Sequence, residues 1–181
     1  CQSNVPTLTN PSQVSAGKFH ACALDDSGVV CWGDGYNGQT SVPALNNPSF
    51  VHAGGYHTCA IDDSGVVCWG DNGRGQATVP TLTNPTRVYG GEFHSCALDD
   101  SGVVCWGEGG NGQITIPSMV NPSVVSAGDF HNCAIDDSGV VCWGDNADGR
   151  LTVPVLNNPS GVSAGGWHTC ALDDTGVVCW G

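Results

Sequence analysis

Short apolar or alternating segments recur along the whole chain, each bounded by Gly, Asp, Asn or Pro. Between residues 50 and 85 the pattern predicts its elements one at a time. His57-Thr58-Cys59-Ala60-Ile61 reads as a strand, and Asp62-Asp63-Ser64-Gly65 as a turn whose glycine can take positive φ. Val66-Val67-Cys68-Trp69, rich in β-formers, is the returning strand. Phe50-Val51-His52-Ala53 before this hairpin and Ala77-Thr78-Val79 after it are two further short strands. Gly54-Gly55 and the segment 70–75 supply the breaks, while Pro80 and Asn84-Pro85 stop any helix. No window shows helical periodicity.

The pattern returns every 37 residues. A histidine stands at His20, His57, His94, His131 and His168, and a tryptophan at Trp32, Trp69, Trp106, Trp143 and Trp180. Residues 1–181 therefore read as a single all-β domain of five repeats. Four short strands at this period predict a propeller blade, and five of them a five-bladed β-propeller of four-stranded repeats. A β-solenoid is the competing architecture, with shorter repeats and no strong Asp-Asp-Ser-Gly hairpin. The ends interlock in sequence. The fifth unit stops at Cys179-Trp180-Gly181, and the chain opens at Cys1-Gln2-Ser3-Asn4-Val5-Pro6, which matches residues 75–80. The N-terminal segment is thus expected to close the last blade by supplying its outer strand.

Ten of the 11 cysteines fall into constant pairs, Cys22/Cys31, Cys59/Cys68, Cys96/Cys105, Cys133/Cys142 and Cys170/Cys179. Centring the hairpin on Asp25-Asp26-Ser27-Gly28 puts Cys22 opposite Cys31. Opposed antiparallel residues lie about 4.5–5.5 Å apart at Cα, within disulfide range. Five intrablade disulfides and an oxidising compartment follow from that register. Buried free thiols used as small hydrophobes, or zinc held by a Cys pair and a His, are the alternatives. Cys1 is left over, as a free thiol, an intermolecular bridge or a lipid-modified N-terminus. The sequence contains no transmembrane run.

Four Lys+Arg stand against 17 Asp+Glu, a formal charge of -13. No basic stripe is available for a phosphate backbone, which argues against nucleic acid as a partner. Ten of the acids are paired turn aspartates. They are read as turn chemistry, with calcium ligation the alternative. Catalysis needs a unique cluster of mixed groups, whereas this chain repeats nearly every group five times. No Walker, Rossmann or His-Glu-x-x-His pattern occurs, so neither an enzyme nor a cofactor or metal site is expected. The repeated His, always preceded by an aromatic (Phe19, Tyr56, Phe93, Phe130, Trp167), is expected to bond a neighbouring blade, and the Trp to pack between blades.

Departures from the repeat mark the candidate recognition residues. Lys18 has Gly55, Glu92, Asp129 and Gly166 as its equivalents, and the loop after each Trp varies around Tyr36 and Arg74. A third variable patch contains Tyr89. Lys18, Tyr36, Arg74, Tyr89, Glu92 and Trp167 are the candidates for partner binding.

Ala53-Gly54-Gly55-Tyr56-His57-Thr58-Cys59-Ala60-Ile61, then Gly65-Val66-Val67-Cys68-Trp69-Gly70, then Gly75-Gln76, resembles the repeat of the regulator-of-chromosome-condensation family of propellers. The short form ending Gly75-Gln76-Ala77-Thr78-Val79-Pro80 is similar to that of the family's secreted bacterial β-lactamase inhibitors. The resemblance implies a propeller that binds other molecules through its ring faces without catalysis. An extracellular or cell-surface interaction or scaffold module, bound to a protein partner, is the leading expectation. A self-assembling subunit of a filament or surface layer, an inhibitor of a secreted or cell-wall enzyme, and carbohydrate binding are the other readings.

Overall fold

The computed structural model describes residues 2–181; Cys1, with its expected intermolecular role, lies outside the described residues. Their regular structure is all β, in five antiparallel three-stranded sheets, one per repeat. The first blade comprises β1 (Gln13–Ala16), β2 (His20–Asp25) and β3 (Gly28–Gly33). The second comprises β4 (Phe50–Ala53), β5 (His57–Asp62) and β6 (Gly65–Gly70), and the third β7 (Arg87–Gly90), β8 (His94–Asp99) and β9 (Gly102–Gly107). The fourth holds β10 (Val124–Ala127), β11 (His131–Asp136) and β12 (Gly139–Gly144), and the fifth β13 (Gly161–Ala164), β14 (Thr169–Asp173) and β15 (Gly176–Trp180).

The Asp-Asp-Ser-Gly turn fixes the register, with Cys22 opposite Cys31, Ala23 opposite Val30 and Leu24 opposite Val29. Repeated in each blade, this register closes five disulfides with Cα atoms 4.0–4.1 Å apart. The pairs are Cys22–Cys31, Cys59–Cys68, Cys96–Cys105, Cys133–Cys142 and Cys170–Cys179, so the free-thiol and zinc alternatives fall away.

Alternation along the strands gives each blade two apolar sides. The front carries the disulfide and two aliphatic residues; the rear carries a valine, an alanine and the tryptophan. Front residues Cys59, Ile61, Val66 and Cys68 pack on Val88, Ala97 and Trp106 of the third blade. The third blade's Cys96, Leu98, Val103 and Cys105 pack likewise on Val125, Ala134 and Trp143 of the fourth. The core is therefore a series of layers between blades.

A hydrogen-bonded stitch crosses each of these layers. His20, His57, His94 and His131 are wholly buried. Their Nε2 atoms lie 2.7–2.8 Å from Thr58 Oγ1, Ser95 Oγ, Asn132 Oδ1 and Thr169 Oγ1 of the next blade. Asn132 Oδ1 can only accept, and Thr58 and Ser95 spend their single hydroxyl protons on the Gln39 and Gln76 carbonyls. The imidazoles are accordingly the donors, neutral and protonated on Nε2. The same two carbonyls accept the indole N–H of Trp69 and Trp106, at 3.0 and 2.9 Å.

Two expectations change. The fourth strand of each unit is not formed among the described residues. Ala77 and Thr78 spend their amides inside their own loop, on Asn72 Oδ1 and the Gly75 carbonyl, and Pro80 has no amide to offer. Val79 and Leu82 then turn inward against the layer between the second and third blades. The segment is a linker. The N-terminal segment likewise serves the first blade rather than the fifth. Trp32 Nε1 donates to the Gln2 carbonyl, and Thr9 N and Asn10 Nδ2 donate to Asp25 and Asp26. Residues 39–47 make the equivalent contacts with the second blade. Each linker caps the blade that follows it.

The paired turn aspartates hold linker to hairpin. Asp99 accepts from the Ser101 amide and hydroxyl and from Thr83 N, while Asp100 accepts from Asn84 Nδ2 at 2.6 Å. To reach, Asn84 adopts a left-handed φ of 49°, as Asn10, Asn47, Asn121 and Asn158 do at 48–51°. Replacing Asn84 with alanine removes the bond and leaves a side chain poorly suited to that backbone. The expected cost is about 2 kcal/mol, a fall of about 4–8 °C in Tm. Thermal denaturation checks it, and Asn84→Gly, which keeps the backbone conformation, should lose less.

Candidate functional site

The turns joining the first two strands of each blade and the loops after its third strand lie at one end of the blades. The backbone ties them together: Asp34 N, Asp71 N, Glu108 N and Asp145 N donate to the carbonyls of Phe19, Tyr56, Phe93 and Phe130. The Asp-Asp-Ser-Gly turns lie at the other end. Variation between repeats is thereby concentrated on one face, while the opposite rim is nearly constant.

At the centre of the variable face the five inner turns surround an axial space of about 300 Å³, lined by Gly, Ala and Ser together with Lys18, His52 and Asp129. Lys18 Nζ of the first blade reaches across to Glu92 Oε1 of the third at 2.7 Å and to Asp129 Oδ2 of the fourth at 3.5 Å. The hydrogen bond to Glu92 raises the Lys18 pKa above its ordinary value against the opposing effect of partial burial, and Asp129 adds to the rise. Glu92 is buried, and its Oε2 has no hydrogen-bond partner.

Around this centre runs an arc of aromatic rings, one from each blade. Phe19 and Tyr56 are 5.0 Å apart, Tyr56 and Phe93 5.3 Å, and Phe130 and Trp167 5.4 Å between centroids. Trp167 is 60% exposed and Tyr36, in the first outer loop, 91%. Arg74 is largely exposed and pairs with Glu108 at 2.8 Å.

Five of the six residues marked in the sequence, Lys18, Tyr36, Arg74, Glu92 and Trp167, therefore share one face, and two of them form an ion pair with each other. Tyr89 does not join them. It is half-buried against Phe50 and His52, at 6.0 and 5.3 Å, and against the layer between the third and fourth blades, and burial raises its pKa.

Sequence reading passed over Arg150. It stands where the other units have Gln39, Gln76 and Gln113, and it is the largest wholly buried side chain. Its guanidinium lies 4.9 Å from the Trp167 ring and bonds Asp148 at 2.5 Å, with Asp145 at 3.8 Å, so it supports the exposed indole from below. The break in the Gly-Gln repeat at Gly149-Arg150 was the available signal.

The five disulfides point to an oxidising, extracellular setting. The described residues contain no helix, hence none long and apolar enough to cross a membrane.

Among solved structures, the chain is similar to the ectodomain of the receptor kinase CR4 from the moss Physcomitrella patens. Identity is 26% and TM-score 0.82, covering 97% of this chain and 53% of that one. It is also similar to the CRINKLY WD40 ectodomain of the Arabidopsis thaliana receptor kinase ACR4, at 26% identity and TM-score 0.77, covering 96% and 72%. Prp20p from Saccharomyces cerevisiae shares the fold at 18% identity and TM-score 0.81, over 93% and 57%. The chain thus spans just over half of the moss ectodomain. No curated protein sequence matches it. The sequence profile of the regulator of chromosome condensation (RCC1) repeat matches four times, at residues 12–39, 50–76, 86–113 and 123–150. With most of its length in these matches, and a fifth blade built on the same strands, the chain belongs to the RCC1 repeat family.

Proposed function

We propose that the chain is a non-catalytic extracellular interaction module that holds a protein partner on its variable face. The observation carrying this reading is the segregation of variation. Tyr36, Arg74 and Trp167 are exposed on the one end where the repeats differ, on a scaffold held by a disulfide in each blade and by the histidine stitches between blades. Aromatic and arginine side chains on a rigid base are the usual anchors of protein recognition. The two receptor ectodomains that share 26% identity with the chain are themselves extracellular parts of receptors. The acidic charge favours a partner with a basic surface. Inhibition of a secreted or cell-wall enzyme is the form this takes if that partner is a hydrolase, a reading that rests only on the resemblance of the repeat ending Gly75-Gln76-Ala77-Thr78-Val79-Pro80 to secreted bacterial inhibitors.

The test is capture. Immobilised protein is exposed to the extracellular and cell-surface proteins of its source, and the retained species are identified by mass spectrometry. Combining Tyr36→Ala with Trp167→Ala should weaken the retained complex by about tenfold or more, whereas Thr81→Ala, exposed in a linker, should leave it unchanged. Equal retention by all three proteins would overturn the assignment of the face.

A further inference from the structure

Three grooves of one kind lie on the rim opposite the variable face. Each runs between the Asp-Asp-Ser-Gly hairpin of one blade and the linker that leads to the next. In the second blade the groove holds about 470 Å³, lined by Asp62, Asp63 and Val66 from the hairpin and by Val79, Pro80 and Pro85 from the linker. The fourth blade repeats it at about 510 Å³, with Asp136, Asp137 and Val140 beside Val153, Pro154 and Pro159. The first blade has it at about 460 Å³, between Asp25–Gly28 and Leu45, Asn47 and Pro48. All three belong to interior joints, between the first and second, second and third, and fourth and fifth blades.

The two aspartates of each groove have different duties. Asp62 spends both oxygens on the fold: Oδ1 accepts from the Ser64 amide and hydroxyl, and Oδ2 from Asn46 N. Asp63 is exposed and gives only Oδ2, to Asn47 Nδ2 at 2.6 Å. Asp137 and Asp26 do the same with Asn121 and Asn10, at 2.7 and 2.8 Å. The other oxygen of each accepts no hydrogen bond among the described residues. Nor does a cation answer it. Every ion pair among the described residues uses Glu92, Asp129, Glu108, Asp145 or Asp148, and none uses a turn aspartate.

The opposite wall is apolar. No lining residue of the three grooves is aromatic and none is cationic. Val155, next to Pro154 in the linker of the fourth groove's blade, is 94% exposed and extends that side. A lysine or arginine side chain suits both walls: its methylenes lie along proline and valine while its head group meets the unused carboxylate oxygen.

We propose that this rim is a second docking surface, which takes the lysine or arginine side chains of an extended basic polypeptide, one per groove. Charge complementarity names the occupant, since the unused carboxylate oxygens recur at the grooves with no cation opposite them. A second copy of this chain does not qualify. Three of its four Lys+Arg are in ion pairs, and the fourth, Arg87, lies over the Phe50 ring and donates to the Thr86 carbonyl. A single exposed ion pair is weak. Affinity therefore comes from filling several grooves at once, and it falls as salt is added. The rim and the variable face lie at opposite ends of the blades, so either reading can fail without the other.

Fluorescence anisotropy with a labelled peptide of alternating lysine and proline, which stays extended, tests this. The peptide should bind at low ionic strength and be released at high, and its glutamate–proline counterpart should not bind. Asp63→Asn combined with Asp137→Asn keeps an acceptor for Asn47 and Asn121 and removes two charges. It should weaken binding about tenfold with unchanged circular dichroism. Asp34→Asn combined with Asp71→Asn removes the same charge at the variable end and should weaken it by less than about twofold. Tyr36→Ala combined with Trp167→Ala should bind the peptide as the parent does. Absence of binding by the parent, or equal weakening by the two aspartate pairs, which would mean attraction to net charge alone, overturns the proposal.

Discussion

Replacing Cys96 and Cys105 together with alanine should destabilise the protein by about 3–5 kcal/mol. Two effects combine. The bridge closes a short loop, with a sequence separation of 9, and freeing a loop of that size in the unfolded chain is worth about 2–3 kcal/mol. Cys96 is also wholly buried and packs with Val125, Ala134 and Trp143 across the layer to the fourth blade, so its loss leaves a void. The Cys170–Cys179 bridge closes a loop of the same length, but on the front of the fifth blade, where Cys179 is exposed. Its removal should cost only the loop contribution, about 2–3 kcal/mol. Urea denaturation of the two double variants measures the difference, and equal costs would refute the packing share. Exposure also sets the order of reduction. Under mild reductant with alkylation, Cys170 and Cys179 should be labelled before the other eight.

Acid should unfold the protein steeply between about pH 6 and pH 4. Burial holds His20, His52 and His131 down to about pH 4 and His57 to about pH 3, and it lowers His94 as well. For His57 the neighbouring histidines His94, His52 and His20 lower it further. Above the unfolded value of about 6.5 these groups are neutral in both states and contribute no pH dependence. Below it the unfolded chain takes up protons that the folded one refuses, so stability falls with pH until the folded histidines themselves titrate. Each of the four wholly buried histidines costs about 1.4 kcal/mol per pH unit in that window, against a typical total of roughly 5–15 kcal/mol. The stitch explains why the fold refuses the proton: Nδ1 of all four has no hydrogen-bond partner, so a second N–H there would be buried unpaired. The turn aspartates Asp62 and Asp99 act in the same direction but at lower pH, since their carboxyls titrate below the ordinary carboxylate value. Urea midpoints at successive pH values check the slope. A flat profile from pH 7 to pH 4 would contradict the assignment, and His57→Gln should reduce proton uptake by one.

What sequence could reveal depended on how local the cause was. The turn at Asp25–Gly28 fixes the pairing of Cys22 with Cys31 through nearest neighbours alone, and five repetitions made it legible. The link from His20 to the next blade was also foreseen, because a buried polar group in a repeat has the next repeat as its natural partner. The outer strand was misread for the opposite reason. Thr78 and Val79 have β propensity, but their fate was set by Asn72, Pro80 and the apolar layer beneath them. Lys18 and Glu92 were marked as variable and not as a pair, since 74 residues and one whole blade separate them. Tyr89 looked like an anchor because its type is common at interfaces, and only packing shows that its ring lies against Phe50 and His52.

Each stitch ends, beyond the residue that accepts from the histidine, on a main-chain oxygen. The Gln39, Gln76 and Gln113 carbonyls receive the indole and the hydroxyl or amide of the following blade, and the carbonyl of Arg150 receives Trp180 Nε1 and Thr169 Oγ1 in the same way. No side chain is needed at that position to hold the blades together. Evolution can therefore rewrite it without loosening the joint. In the fourth repeat the glutamine has given way to an arginine that supports an exposed tryptophan, so new recognition chemistry can arise at a position where the joint itself stays fixed.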